Sequence, residues 1–176
     1  MTYSAAIGAS SATTCAPCAA GSISPAGSSA CSKLQSYQIA HTPPEYNSGY
    51  AFVEVLVDDD GHWAAPDRQG TQYAGGGDPS FFFVLDLGTN VTVQKLVIRN
   101  HYWSGYYNTQ SFSISMSLDS ATNGFGQEVT GLLEEQDSSL QEVPVGLTGR
   151  YLKFKCDTYG TYSAGLKYVA VHVEKV

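Results

Sequence analysis

The stretch SFFFVLDLGTNVTVQKLVIRNHYWSGYYN, residues 80–108, decides the fold of this chain. It opens with an apolar run at 81–84, breaks at 88–90, and resumes as a second apolar run at 96–98. Val, Ile, Thr and Phe pack well on a pleated surface and lose rotamer freedom in a helix. The stretch therefore predicts two strands joined by a short turn, a β-hairpin or meander at the centre of the domain.

The residues that follow Asn100 have a different character. They place five rings among serine, glycine and asparagine, in a segment without a useful period: His101, Tyr102, Trp103, Tyr106 and Tyr107. Aromatic rings at the tip of a loop that is held by a rigid sheet are typical of recognition surfaces. This segment is the first candidate for a binding site.

The chain on both sides of this stretch also predicts strands. Residues 111–118 alternate between apolar side chains and serines, which indicates an antiparallel strand with one wet face. Further strands are predicted near residue 34, at 51–57 (AFVEVLV), at 126–133, at 139–145, at 149–156 and at 166–174. About eight strands and no convincing helix predict an all-β fold, an antiparallel β-sandwich or jelly roll.

Composition and charge narrow the classes of function. The 176 residues suffice for one domain and a small appendage, and only 14% are charged, with a net charge of -7. A chain with this acidic balance is a poor partner for nucleic acid or an anionic membrane, and no apolar run reaches the roughly 18–20 residues of a membrane span. The familiar catalytic motifs are missing and the four histidines are scattered, so we expect no enzymatic activity.

Three of the four cysteines lie in CAPCAAGSISPAGSSAC, residues 15–31. The segment around them has too little apolar content for a core, so cross-links would have to hold any fold. A thioredoxin-like redox site needs a strand before the CAPC motif and a helix after it, and this segment predicts neither. A zinc site needs four ligands, and this segment offers only three cysteines. A structural disulfide is the preferred interpretation. The fourth cysteine, Cys156, alternates with Lys153 and Lys155, which predicts a buried free thiol in preference to a bridge to Cys15.

Several phrases of the sequence resemble, in order, the discoidin or coagulation-factor C-type domain. They are FFFVLDLG at 81–88, VQKLVIRN at 93–100 and SFSISMSLD at 111–119, supported by VDDDGHWAAP, GRYLKFKC and GLKYVAVHVE. This group belongs to the galactose-binding-like β-sandwiches, which include many carbohydrate-binding modules. The resemblance divides the chain into an appendage at 1–34 and a sandwich at 35–176.

The cysteine-rich appendage resembles a partial repeat of the ephrin-receptor-like and tumour-necrosis-receptor-like stalks. That resemblance implies a disulfide between Cys18 and Cys31, and a partner for Cys15 in a preceding repeat. It favours an extracellular location, as does Asn90-Val91-Thr92, which is an N-glycosylation sequon on a predicted turn.

The discoidin resemblance also implies where a ligand would bind. It places the loops 41–50, 62–73, 101–108 and 157–165 at one end of the sandwich. Aromatic rings stack on the apolar face of a sugar and polar side chains bind its hydroxyls, so the residue types suit a glycan. The candidate ligand contacts are Tyr46, Arg68, Tyr102, Trp103, Tyr106, Tyr107, Tyr159 and Tyr162. Trp63 matches a structural tryptophan of the family and is expected to point inward.

A structural calcium ion is a further expectation from the family, and it fits this sequence only in part. Asp60 and Gly61 match the aspartate-glycine loop, but Ala65 replaces a threonine ligand and residues 167–168 replace a glutamate. The remaining ligands would be Asp58, Asp60 and backbone carbonyls. A solvated acidic turn is the alternative, and we commit to no cofactor.

These observations favour an extracellular carbohydrate-binding or adhesion module without catalytic activity, whose partner is a glycan or glycoprotein. The alternative is a structural protein–protein module of a matrix, stalk or filament, in contact with neighbouring domains or other proteins. Phosphatidylserine binding is disfavoured, because the predicted loops offer Arg68 alone against several acidic residues.

Overall fold

The structure is a computed structural model that describes residues 2–4, 15–17, 22–23, 32–45, 51–56, 61–66, 81–101, 107–134 and 139–174. Strands dominate these ranges. In chain order they are β1 (Thr2–Ser4), β2 (Cys15–Pro17), β3 (Ser22–Ile23), β4 (Ser32–Leu34), β5 (Gln38–His41), β6 (Trp63–Ala64), β7 (Phe82–Asn100), β8 (Thr109–Ser117), β9 (Glu128–Leu132), β10 (Leu140–Tyr159) and β11 (Gly165–Glu174). A 3-10 helix, Phe52–Leu56, is the one helical element within the described ranges.

Two long strands, β7 and β10, run through the centre. Each has two parts, which we call its arms, and both arms of β7 pair with arms of β10. Residues 82–86 pair with 151–155, and residues 91–99 pair with 140–149. Between the two paired regions lie residues 87–90 of β7, where Gly88 has a φ angle of 80°, and Arg150 of β10. Gly146, with a φ angle of 68°, lies within the first arm of β10, at the register shift between Pro144 and Leu147. Glycine adopts such angles at little steric cost, so Gly88 allows β7 to bend between its arms, and Gly146 allows the irregularity inside the first arm of β10.

The predicted hairpin in residues 80–108 is therefore wrong in its pairing. The first arm of β7 pairs with β5 and β10, the second pairs with β10 and β11, and the two arms do not pair with each other. The break at 88–90 is a bend that takes the strand from one layer to the next. For the same reason the strands predicted at 139–145 and 149–156 are the two arms of β10.

The arms of β7 and β10 divide the strands into two layers. One layer contains the first arm of β7 and the second arm of β10, in the order β5, β7, β10, β8 and β9. The other layer contains the second arm of β7 and the first arm of β10, in the order β3, β4, β11, β7 and β10, with β6 added beside β11. All pairs between these strands are antiparallel. The predicted antiparallel β-sandwich is confirmed.

The inner faces of the layers form one hydrophobic core. Phe154 of β10 lies between two other rings, with centroid distances of 5.1 Å to Phe83 and 5.2 Å to Phe112. These three rings join β7, β10 and β8 on the inner face of one layer. Cys156 is buried in the same core as a free thiol, as the alternation predicted, and its burial raises the pKa of the thiol to about 12.

The segment AFVEVLV is not the predicted strand, because residues 52–56 form the 3-10 helix. This helix has three residues per turn, which brings Phe52 and Val55 to the same face. Both side chains are completely buried, while Val53 is 54% exposed. Phe52 packs on Phe83 with a centroid distance of 4.4 Å, so burial of the i, i+3 pair outweighs the β-propensity of the valines.

Part of the predicted appendage joins the sandwich. β3 pairs with β4, and β4 extends one layer by pairing with β11, where Leu34 is opposite His172. Cys18 and Cys31 lie outside the described residues, so their disulfide stays a prediction. In the part of the chain that the structure describes, no helix is long and apolar enough to span a membrane.

The close packing of β10 against β8 predicts unequal effects of two glycine substitutions. A Cβ atom at Gly149 would lie 2.9 Å from the backbone oxygen of Ser117 and 3.0 Å from Cβ of Met116, whereas a Cβ at Gly126 would meet nothing within 4 Å. We expect Gly149→Ala to lower the free energy of unfolding by about 1–3 kcal/mol. Gly126→Ala should leave it unchanged within about 0.5 kcal/mol. Guanidinium unfolding of both variants measures their free energies of unfolding. Equal values for the two variants would contradict the close packing of Gly149 against β8.

Candidate functional site

One end of the sandwich gathers the described parts of all four loops that the resemblance placed together. The indole Nε1 of Trp63 donates a hydrogen bond of 3.0 Å to the carbonyl of Pro44. The hydroxyl of Ser163 donates to the carbonyl of Pro66 at 2.8 Å, and Ser163 also forms a β-bridge with Tyr107. These contacts join the loops around β6 to the connections from β7 to β8 and from β10 to β11.

Trp63 anchors this end from the inside. Its side chain is 1% exposed, and its ring meets Phe52 edge-on at 6.1 Å between centroids. The inward orientation predicted from the family is confirmed. The side chain therefore contributes to the support of the loops and is not available to a ligand.

A buried polar network, which the sequence analysis missed, fixes the strand ends beneath the loops. Asn100 is completely buried; its Nδ2 donates to the carbonyls of Thr109 and Glu134 at 2.8 and 3.1 Å, and its Oδ1 accepts from the Thr109 amide at 3.1 Å. The Thr109 hydroxyl donates to the carbonyl of Gly165 at 3.1 Å. A polar residue two positions after Ile98, on the core face of a strand, was the signal for this network.

Four ring side chains form a cluster at this end, which we call the tyrosine–histidine cluster: His62, His101, Tyr107 and Tyr162. The rings of Tyr107 and Tyr162 stack with centroids 5.8 Å apart, and those of His62 and His101 stack at 4.5 Å. The ring of His101 meets that of Tyr107 edge-on at 6.3 Å. Tyr107 and Tyr162 are both partly exposed residues.

The electrostatics of the cluster depend on His101, which is 3% exposed. Burial lowers the pKa of this imidazole to about 4, against a smaller opposing effect of its contact with the backbone of Tyr107. The ring is therefore neutral at pH 7. Its Nδ1 lies 2.5 Å from the Tyr107 carbonyl oxygen, and because a carbonyl only accepts, we assign the proton to Nδ1.

The predicted ligand contacts divide into three groups. Tyr107 and Tyr162 lie together in the tyrosine–histidine cluster. Tyr159 is 1% exposed and packs on Phe81 at 5.5 Å between centroids, so its side chain belongs to the core and does not fit the predicted contact with a ligand. The remaining predicted contacts lie outside the described residues: Tyr46, Arg68, Tyr102, Trp103 and Tyr106.

The acidic loop considered for calcium, with Asp58 and Asp60, also lies outside the described residues. Within the described ranges, no group of three or more His, Cys, Asp or Glu side chains could hold a metal ion. The tyrosine–histidine cluster has two imidazoles and no carboxylate. Its chemistry is that of aromatic stacking and hydrogen bonding.

Comparison with known proteins places the fold. No family model and no curated protein matches the sequence. Solved structures do match, among them the CBM32-1 and CBM32-2 domains of ZmpB from Clostridium perfringens, with 19% identity, a TM-score of 0.61 and coverage of 81% of this chain and 37% of that one. The fold is that of a galactose-binding-like β-sandwich.

Two further neighbours are single modules. The C-terminal domain of a chitobiase from Bacteroides fragilis is 18% identical, with a TM-score of 0.60 and coverage of 80% of this chain and 95% of that one. The family 32 module of C. perfringens NanJ, solved in complex with galactose, is 11% identical, with a TM-score of 0.55 and coverage of 78% and 93%. The ZmpB domains were also solved in complex with GalNAc. At these identities the likeness shows the shared sandwich fold.

The buried histidine predicts a pH dependence of stability. The pKa of His101 is about 4 in the folded chain, and that of a histidine in an unfolded chain is about 6.5. Between these values the unfolded chain binds more protons, so the free energy of unfolding decreases as the pH falls from about 6.5 to about 4. In His101→Asn, which keeps an amide donor but does not titrate, this decrease should be smaller by on the order of 2 kcal/mol.

Urea unfolding of the wild type and His101→Asn at several pH values measures this difference. His41→Asn, which replaces an exposed histidine, is the matched control. An identical loss of stability in the wild type and in His101→Asn over this pH range would show that His101 is not held neutral by the fold.

Proposed function

We propose that this chain is a non-catalytic glycan-binding module, and that it binds sugar with the loops around the tyrosine–histidine cluster. The observation that carries the proposal is the stacked pair of Tyr107 and Tyr162, two partly exposed residues from different loops at the end where the loops meet. The solved neighbours of this fold in complex with galactose and with GalNAc support the same class of ligand.

The chemistry of the cluster suits a neutral sugar. The face of a tyrosine ring packs against the C–H face of a pyranose, and the phenol hydroxyls can donate to or accept from its hydroxyl groups. His101 is buried and neutral, so it supports the ring of Tyr107 without adding a charge. With a net charge of -7, the chain also repels acidic glycans at long range.

The other predicted contacts complete the proposed site. Tyr46, Arg68, Tyr102, Trp103 and Tyr106 belong to the same four loops by sequence, and they would add further rings and a guanidinium donor. Their loops continue directly from described residues that already meet at this end. The resulting site would combine stacking surfaces with a few polar groups, the usual composition of a small-molecule site.

We also propose that the module acts outside the cell, as an adhesion module or as the targeting part of a larger protein. The cysteine-rich segment and the sequon at Asn90 support this location. Asn90 is exposed at the bend of β7, where an attached glycan would extend into solvent. The sequon is the single Asn-x-Ser/Thr match of the sequence.

A glycan array followed by calorimetry tests the binding site. We expect the folded chain to bind neutral glycans that contain galactose or N-acetylgalactosamine. Tyr162→Ala should weaken the affinity by roughly tenfold, because it removes one stacking ring, and Tyr162→Phe should retain most of it. Phe125→Ala, which truncates an aromatic residue outside the four loops, is the matched control.

The array and the variants can each contradict the proposal. A blank array from protein with a normal unfolding transition would favour the structural protein–protein module instead. Equal loss of affinity in Tyr162→Ala and Phe125→Ala would place the sugar away from the tyrosine–histidine cluster.

Passage through a eukaryotic secretory pathway tests the proposed location and modification. The secreted chain should carry an N-glycan that a peptide N-glycosidase removes, and Asn90→Gln should abolish it. Asn123→Gln, an exposed asparagine outside any sequon, should leave the mass increment unchanged. Secreted wild-type protein of unmodified mass would overturn the assignment of Asn90.

A further inference from the structure

A second concave surface lies along residues 35–38, at the side of the sandwich. It consists of two separate pockets on either side of this segment; we call the pockets chambers, and together the lateral cleft. One chamber has a volume of about 370 Å³ and is lined by Ser36, Tyr37, Gln38, Asp86, Leu87, Gly88 and Arg150. The other has a volume of about 240 Å³ and is lined by Gln35, Ser36, Tyr37, Leu56, Tyr168 and Ala170. Ser36 and Tyr37 line both chambers.

Hydrogen bonds to both layers of the sandwich fix the wall between the chambers. The amide of Gln35 donates to Val171 of β11 at 2.9 Å, and its side chain donates to Leu87 of β7 at 3.0 Å. The hydroxyl of Tyr37 donates to Val169 of β11 at 2.7 Å. The segment thus connects β11 to β7, and the cleft is formed before any ligand arrives.

The larger chamber has a polar wall of fixed geometry. Arg150 donates through Nε and Nη2 to the two carboxylate oxygens of Asp86, at 2.8 Å each. The Gly88 amide also donates to Asp86 at 2.8 Å. These bonds do not use Nη1 of Arg150, and each carboxylate oxygen has more than one acceptor direction. The pair has no net charge, so it favours a neutral ligand with hydroxyl groups over an ion.

The smaller chamber has an apolar and aromatic wall. Leu56 and Ala170 provide aliphatic surface, and Tyr37 and Tyr168 provide rings. Such a wall suits the C–H face of a sugar ring. The larger chamber reaches the volume of about 300 Å³ at which small-molecule sites begin, and the second chamber adds room for another ring.

We propose that the lateral cleft is a second glycan site, which binds a neutral oligosaccharide with one ring in the polar chamber and the next ring in the aromatic chamber. This inference depends on the proposed function for the class of ligand, but it concerns a different surface. Asp86 and Arg150 lie at the bends of β7 and β10, whereas the tyrosine–histidine cluster lies beyond the other ends of these strands.

Titration of the ¹⁵N-labelled chain with lactose and with N,N′-diacetylchitobiose tests the second site. We expect saturable shifts of the amide signals of Ser36, Gln38 and Gly88, in addition to shifts of Gly160 and Ser163 at the loop end. The two groups of signals should give separate dissociation constants, because the sites do not share residues.

Gln38→Ala is the main variant, because Gln38 is exposed, lines the polar chamber and takes no part in the Asp86–Arg150 pair. It should weaken binding at the cleft by about three- to tenfold and leave the loop-end constant unchanged. Arg150→Lys keeps the charge but loses the bidentate contact with Asp86, and it should weaken binding of the disaccharide at the cleft by a similar factor. Gln127→Ala, at an exposed position away from the cleft, is the matched control.

The pattern of shifts separates the two proposals. Saturable shifts at the loop end, with the signals of Ser36, Gln38 and Gly88 unmoved by either disaccharide, would overturn the second site and leave the proposed function intact. Shifts at the cleft alone would support the second site and overturn the loop-end site. Unmoved signals at both places would overturn the second site and count against the proposed function as well.

Discussion

The architecture depends on one constraint, that β7 and β10 bend together while they stay paired on both sides of the bend. Gly88 supplies a positive φ angle at the bend of β7, and Arg150, the residue of β10 between its two arms, contacts Asp86 beside that bend. The Arg150 side chain is 41% exposed, so the ion pair adds little to the free energy of unfolding. Its contribution is geometric, because the planar guanidinium fixes β10 at a set angle to β7.

This constraint also determines what the loops can do. Because both arms of each bent strand return to the same end, four strand termini meet there, and the buried amide of Asn100 links β7 to β8 and to the segment after β9. An unsatisfied amide at that depth would cost about 1–3 kcal/mol, so the hydrogen bonds define a single arrangement of the termini. The rings of Tyr107 and Tyr162 therefore rest on a rigid base.

Sequence patterns predicted the elements better than their connections. The strand around Phe112 and the buried Cys156 followed from local signals, and both predictions were right. The wet face predicted for residues 111–118 was wrong, because Ser113, Ser115 and Ser117 are buried while Leu118 is 53% exposed. A turn between paired arms and a bend between layers use the same residues, so Gly88 could not distinguish them. Tyr159 was predicted to contact a ligand because the resemblance placed it in the loop 157–165, but it ends β10 with its side chain in the core, after register shifts between Cys156 and Thr158 and between Thr158 and Tyr159. Such a bulge depends on the partner strand and leaves no mark in the alternation.

The placement of the two proposed sites determines how they could cooperate. The arm of β7 from 91 to 100 separates the bend from the loop end, and at about 3.3 Å per residue this distance is roughly 30 Å. A short oligosaccharide cannot span the distance from the polar chamber to the loop end, so these two places could not raise the affinity for one small ligand. They could instead hold two separate glycan chains on one rigid sandwich. A module of this kind would bridge glycans, which is the physical basis of adhesion by a single domain.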